Sequence, residues 1–170
     1  MLFAVAMKKC RTPEQSSYSP GSRSARRARS AVLVAAGFLA GAAPVAAQDA
    51  TWLAAPGSSD FNTGANWSAG SVPTGTAFFG ASNTTALSLS TVTTLDALQF
   101  EAGAPSYAFT ANITLDLTGA GIVNNSSNAS TFSVYNAGLN FYGSSTAANA
   151  IVTAGVTNAF GYVSFNDASS

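Results

Sequence analysis

The chain contains no histidine and a single cysteine, Cys10, and its basic residues stop early. Lys8, Lys9, Arg11, Arg23, Arg26, Arg27 and Arg29 are all seven of them, so from Gln48 onward there is no Lys, Arg or His. Each absence excludes chemistry. Without imidazole, amine or thiol, the region from Gln48 has no nucleophile–base triad, no Schiff-base lysine and no imidazole or thiolate metal site. Without cations it cannot neutralise phosphates, so no nucleic-acid partner is expected and an anionic membrane surface is a poor one. Without cysteine pairs no disulfide framework holds it, and packing and hydrogen bonds must do so alone. We therefore assign no catalytic residue, no cofactor and no metal site from the sequence.

What is present divides the chain in two. The formal charge of zero hides this, because Asp49, Asp60, Asp96, Glu101, Asp116 and Asp167 all lie beyond the basic front end. Residues 1–47 have the order of an export signal: the Arg23–Arg29 cluster as a positive n-region, then the uncharged 13-residue h-region 31–43, too short to span a membrane. After Pro44, the small residues Val45-Ala46-Ala47 place the cleavage between Ala47 and Gln48. Arg26-Arg27 lacks the bulky apolar residues that a twin-arginine signal has next.

From Gln48 on, Ser, Thr and Asn supply 45 of 123 residues, which favours turns and strands over helix interiors. Four short segments share one pattern, two large apolar residues about a polar one: Leu98-Gln99-Phe100, Leu115-Asp116-Leu117, Leu139-Asn140-Phe141 and Val163-Ser164-Phe165. In an extended chain both apolar side chains fall on one face. Measured at the last residue, the copies stand 17, 24 and 24 residues apart (Phe100, Leu117, Phe141, Phe165). Further alternation runs through Leu87–Leu89, Tyr107–Phe109, Ile113–Leu117 and Phe132–Val134, with Gly, Asn and Ser between. A strand recurring at this period, with turn residues between, predicts an all-β parallel solenoid in which each rung stacks on the last. A rung cannot bury its own apolar face, so only the stack is stable. Asn124, Asn136, Asn149, Asn158 and Asn166 are candidates for left-handed turns or amide ladders between rungs. Aligning the first two segments sets Asp116 over Gln99. The chain ends at Asn166–Ser170, in mid-repeat, which reads as the N-terminal portion of a longer solenoid. An antiparallel β-sandwich is the alternative that short strands and Gly/Pro turns also permit.

Residues 48–83 differ from 84–170. Both tryptophans are here, with Phe61, Phe78 and Phe79, spaced by Gly57, Gly64 and Gly70. An end rung has an uncovered apolar face and unpaired backbone groups, so this segment is expected to be an aromatic N-terminal cap on the repeats of 84–170. The alternative use of Trp52 and Trp67 is a sugar-stacking platform. Asp96, Glu101 and Asp116 are the carboxylates that would have to pair for glycoside hydrolysis, and Asn166-Asp167 is the one acidic turn to weigh for calcium. The sequons at Asn66 and Asn112 are expected by chance in this composition.

The segments Ala50-Thr51-Trp52, Asp60-Phe61-Asn62, Ala65-Asn66-Trp67 and Val72-Pro73-Thr74 resemble the start of the mature region of bacterial autotransporter proteins. The runs Leu139–Ala147 and Val163–Asp167 resemble autotransporter-associated β-strand repeats. The resemblance covers nearly the whole chain. It implies a right-handed parallel β-helix passenger, exported from a Gram-negative cell and presented at its surface by an outer-membrane β-barrel translocator in the full-length protein. Such a passenger is a structural or adhesin-like, non-catalytic region, meeting host or matrix glycan or protein. A secreted carbohydrate-binding or carbohydrate-active β-helix protein is the alternative.

Overall fold

The computed structural model describes residues 46–155 and 160–170; the basic front end, the h-region and Asn158 lie outside them. Every ladder among the described residues is parallel. One sheet has the order β1-β2-β4-β6-β8-β10, formed by Ala50–Thr51, Thr76–Phe79, Thr93–Phe100, Leu115–Asn124, Gly138–Phe141 and Tyr162–Phe165. The other has the order β3-β5-β7-β9, formed by Ala86–Ser88, Ala108–Ala111, Thr131–Val134 and Ile151–Ala154. Strands alternate between the two sheets through most of the chain and pair only with the previous and next turn, giving a β-solenoid of about five turns. This rules out the antiparallel sandwich, whose hairpins would pair consecutive strands in opposite directions. The one antiparallel bridge among the described residues joins Trp52 to Trp67.

The larger sheet is two ladders joined at a corner. Within β4, Thr93–Leu95 pairs with Leu115–Leu117, then the register shifts and Ala97–Phe100 pairs with Gly121–Asn124. One residue, Asp96, on β4 therefore faces three, Thr118 to Ala120, on β6. Such an irregularity bends the strands, and the Thr118 hydroxyl donates across it to the Leu95 carbonyl at 3.1 Å. β8 and β10 continue the first arm, while Thr146 bridges to Gly121 on the second. From the second turn on, each turn thus lays one segment on each of three ladders.

This register corrects the alignment drawn from the sequence. Leu115–Leu117, Leu139–Phe141 and Val163–Phe165 do stack directly, at 24-residue intervals. Leu98–Phe100, however, lies under Ile122–Asn124, and Asp116 lies over Thr94, not Gln99. The apolar–polar–apolar pattern recurs on both arms, so resemblance between triplets alone does not say which arm each belongs to.

Inward positions form one continuous core. Phe109 and Phe132 stack at 4.7 Å with an interplanar angle of 5°, and Phe141 and Phe165 stack at 4.8 Å and 11°. Parallel in-register strands put like residues one above another at about 4.8 Å, which suits offset ring stacking. The core closes at the first turn. There Trp52, Phe61 and Trp67 are buried against Phe79, with Trp67 at 5.1 Å from Trp52, 4.8 Å from Phe61 and 5.7 Å from Phe79. The 3-10 turn Gly64–Asn66 carries Asn66 into this core, where its amide donates to the Asp60 carbonyl and the Ser58 hydroxyl. The boundary at 83/84 falls between β2 and β3, inside the second turn, and β2 already pairs in register with β4.

Turns use the expected residues in part. Asn124 donates its amide to the Asn149 side chain at 2.7 Å, a ladder between rungs. Asn136 adopts a left-handed backbone, φ 51°, whereas in the last turn it is Asp167, at φ 61°, that does so rather than Asn166.

Candidate functional site

The outer surface of the β3-β5-β7-β9 sheet is an uncovered face whose four strands carry no charged residue. Leu87, Phe109, Phe132 and Val152 point inward in register. Their neighbours point outward and form two columns. One is Ser88, Thr110, Ser133 and Thr153; the other is Ala86, Ala108, Thr131 and Ile151. All eight are exposed or half-buried. The hydroxyls of the first column make no hydrogen bond to any described residue, whereas those at the corners, such as Ser90, Thr93 and Thr118, are engaged. The result is a row of free hydroxyls repeating at about 4.8 Å beside a row of methyl groups. Each hydroxyl offers one donor and two acceptor lone pairs. Such a row sets evenly spaced donors and acceptors along the stack.

Asp60 pairs with Ser88 at the head of this column. Burial acts to raise its carboxyl, but the Asn62 N–H and the hydroxyls of Ser90 and Thr63 hydrogen-bond the ionised form and hold it below the ordinary carboxylate value. Asn62 in turn accepts from the backbone of Ser90 and Thr91 and donates to Thr93, which locks the first turn onto the second. Beside this network lies an open groove of about 210 Å³, with Val72, Pro73 and Val92 as its apolar wall and Thr74, Thr93 and Thr94 as its hydroxyl rim.

The sugar-stacking platform expected as an alternative for the two tryptophans does not form. Trp52 and Trp67 are each 2 % exposed, with their indole N–H groups donating to the carbonyls of Thr84 and Phe61, so neither ring has a face for a sugar. They are the cap. The three carboxylates do not converge in one hydrogen-bonded pair: Asp116 accepts from the Asn140 amide, Glu101 from the Gln99 amide, and Asp96 faces Thr118 at the corner. Asp167 accepts from the Gly143 N–H and Asn166 donates to the Phe141 carbonyl, so both serve the last turn. Ala47 and Gln48 are exposed, and Gln48 is where the first turn is fastened, its carbonyl accepting from Thr74 and Gly75 at 2.9 Å. The Asn66 sequon is closed by burial, while Asn112 is exposed.

Sequence reasoning missed the hydroxyl column. Its members stand 22, 23 and 20 residues apart, and only the ladder shows that they align. Comparison with protein-family models, with curated proteins and with solved structures finds no match to this chain.

Proposed function

We propose that this chain is the exported passenger region of a surface protein of the autotransporter type, a non-enzymatic scaffold that adheres through its outer faces. The observation that carries this reading is the uncovered, uncharged column Ser88–Thr110–Ser133–Thr153 on a rigid parallel sheet. A stacked backbone holds such a row in fixed register, so a long neutral polymer gains many modest hydrogen bonds without ordering the protein further. Glycan or extracellular-matrix protein is the partner class, and the translocator barrel belongs to the full-length protein. The carbohydrate-active alternative loses its tryptophan platform, because both rings are in the core.

The test has two arms. The full chain is expressed in a Gram-negative host and fractionated; a product starting at Gln48 outside the cytoplasm is expected, and retention in the cytoplasm with the leader intact refutes export. Purified protein is then titrated against immobilised glycans and matrix proteins, alongside Thr110→Lys/Ser133→Lys. Removing two hydroxyl contacts at about 1 kcal/mol each weakens binding roughly thirtyfold. Unchanged binding by the double variant, with circular dichroism intact, refutes the column as the adhesive surface.

A further inference from the structure

The residue at the expected cleavage point is held in an arrangement that the proposed processing would turn into chemistry. The Gln48 backbone N–H donates to Thr74 Oγ1 at 3.0 Å, and its side-chain Oε1 accepts from Ser71 Oγ at 3.1 Å. Its carbonyl is fixed by the N–H groups of Thr74 and Gly75, and the next residue, Asp49, accepts from Thr76 N at 2.6 Å. One short loop, residues 71–76, therefore grips both the nitrogen and the side-chain oxygen of Gln48. The amide nitrogen Nε2 makes no hydrogen bond to any described residue, and the residue is exposed.

We infer that cleavage leaves Gln48 as the first residue and that it closes on itself to pyroglutamate, with Ser71 and Thr74 as positioning residues. The inference rests on the export reading proposed above. The freed α-amine attacks Cδ of its own side chain, forming an N–Cδ bond in a five-membered ring. Negative charge gathers on Oε1, where the Ser71 hydroxyl already donates, the arrangement that stabilises a tetrahedral intermediate. The Cδ–Nε2 bond breaks, and ammonia leaves with the proton lost by the amine. No other reactant is consumed. The attack is intramolecular in any N-terminal glutamine, and holding the nitrogen through Thr74 and the side-chain carbonyl through Ser71 restricts its geometry.

The bonding pattern favours the product. Pyroglutamate keeps a single N–H and the Oε1 carbonyl, the two atoms that Thr74 and Ser71 hold, and it discards Nε2, the atom that is not held. It also removes the one cation that cleavage would add to residues 48–170. Among residues 48–170 there is no Lys, Arg or His, so a free α-ammonium would be the only positive group in that stretch.

The test uses the full chain, exported from a Gram-negative host and purified. The expected product has a mass lower by one ammonia than Gln48–Ser170, resists Edman degradation, and is opened by pyroglutamyl aminopeptidase. A free N-terminal Gln48 overturns the inference and leaves the export reading standing. An uncut leader overturns both, and a terminus elsewhere overturns the inference alone. For the positioning role, timed samples of freshly cleaved protein are compared by mass. Ser71→Ala is expected to cyclise about fivefold more slowly, the rate equivalent of one ordinary hydrogen bond, with Ser71→Thr restoring the rate. Equal rates for wild type, Ser71→Ala and the urea-unfolded chain would show that the loop takes no part.

Discussion

Truncating Trp67 is the sharpest test of how this solenoid is closed. The ring is 2 % exposed, packs edge-on against Trp52, Phe61 and Phe79, and its Nε1–H donates to the Phe61 carbonyl at 2.7 Å. Trp67→Ala removes the ring at a cost of about 3–5 kcal/mol and leaves the Phe61 carbonyl without its donor, adding about 1 kcal/mol. Trp67→Phe keeps most of the apolar surface and loses the N–H, for about 1–2 kcal/mol. A domain of this size has roughly 5–15 kcal/mol in total, so the alanine variant loses a large part of it. With a urea slope of about 2 kcal/mol/M, the midpoint falls by about 2–3 M for Ala and by less than about 1 M for Phe. Because each turn touches only its neighbours, the loss starts at one end. Trp52 fluorescence in the alanine variant should therefore change at lower urea than the far-ultraviolet circular dichroism. A midpoint loss under about 0.5 M, or coincident transitions with only a small loss, would refute the first turn as the element that seals the core.

Three further outcomes follow from the geometry. The Asp60 carboxyl is held below its ordinary value of 3.8, so its contribution to stability is present above that value and is lost as pH falls through the folded value; thermal melts should show Asp60→Asn less stable near pH 7 and with a flatter decline on acidification. Gly121 has φ +81° and lies against the Thr146 backbone of the next turn, so Gly121→Ala meets both a left-handed backbone and Thr146 N at 2.6 Å; a loss of about 3 kcal/mol or more in urea titration is expected. Ala148 is exposed with φ 47°, where a side chain is strained and glycine is not, so Ala148→Gly should stabilise by about 0.5 kcal/mol despite the extra freedom of the unfolded chain.

The parallel stack was legible because inward residues must repeat. Leu115-Asp116-Leu117 and Leu139-Asn140-Phe141 carry period-two alternation at a constant interval, and that is the signal a ladder needs. The cap was legible too, since Trp52, Phe61 and Trp67 are large apolar residues in a segment with little alternation of its own. Register was not. Asp96 alone spans the corner that Thr118, Gly119 and Ala120 span one turn later, and nothing in the local pattern of Leu98–Phe100 declares which side of that corner it occupies. The left-handed positions were half legible: Asn136 follows the tendency of its residue type, whereas Ala148 takes φ 47° between Ala147, packed on the core, and Asn149, bonded to Asn124.

The same difference explains why the candidate adhesive face escaped a reading of the chain. Core residues constrain one another through contact, so their identity is conspicuous: Phe109 selects Phe132 by stacking at 4.7 Å. Outward residues on a solvated sheet touch little, and Ser88, Thr110, Ser133 and Thr153 have no packing reason to be alike. Their alignment is a consequence of the core register beneath them, since fixing Leu87, Phe109, Phe132 and Val152 in a column fixes every neighbour in a column as well. A slip of one residue in any of these strands would turn the hydroxyls inward and expose the aromatic column. The core that makes the stack stable is therefore also what sets the spacing of the surface row, and under the adhesive function proposed above Phe132→Leu should weaken binding in the glycan and matrix-protein titration without altering a single hydroxyl.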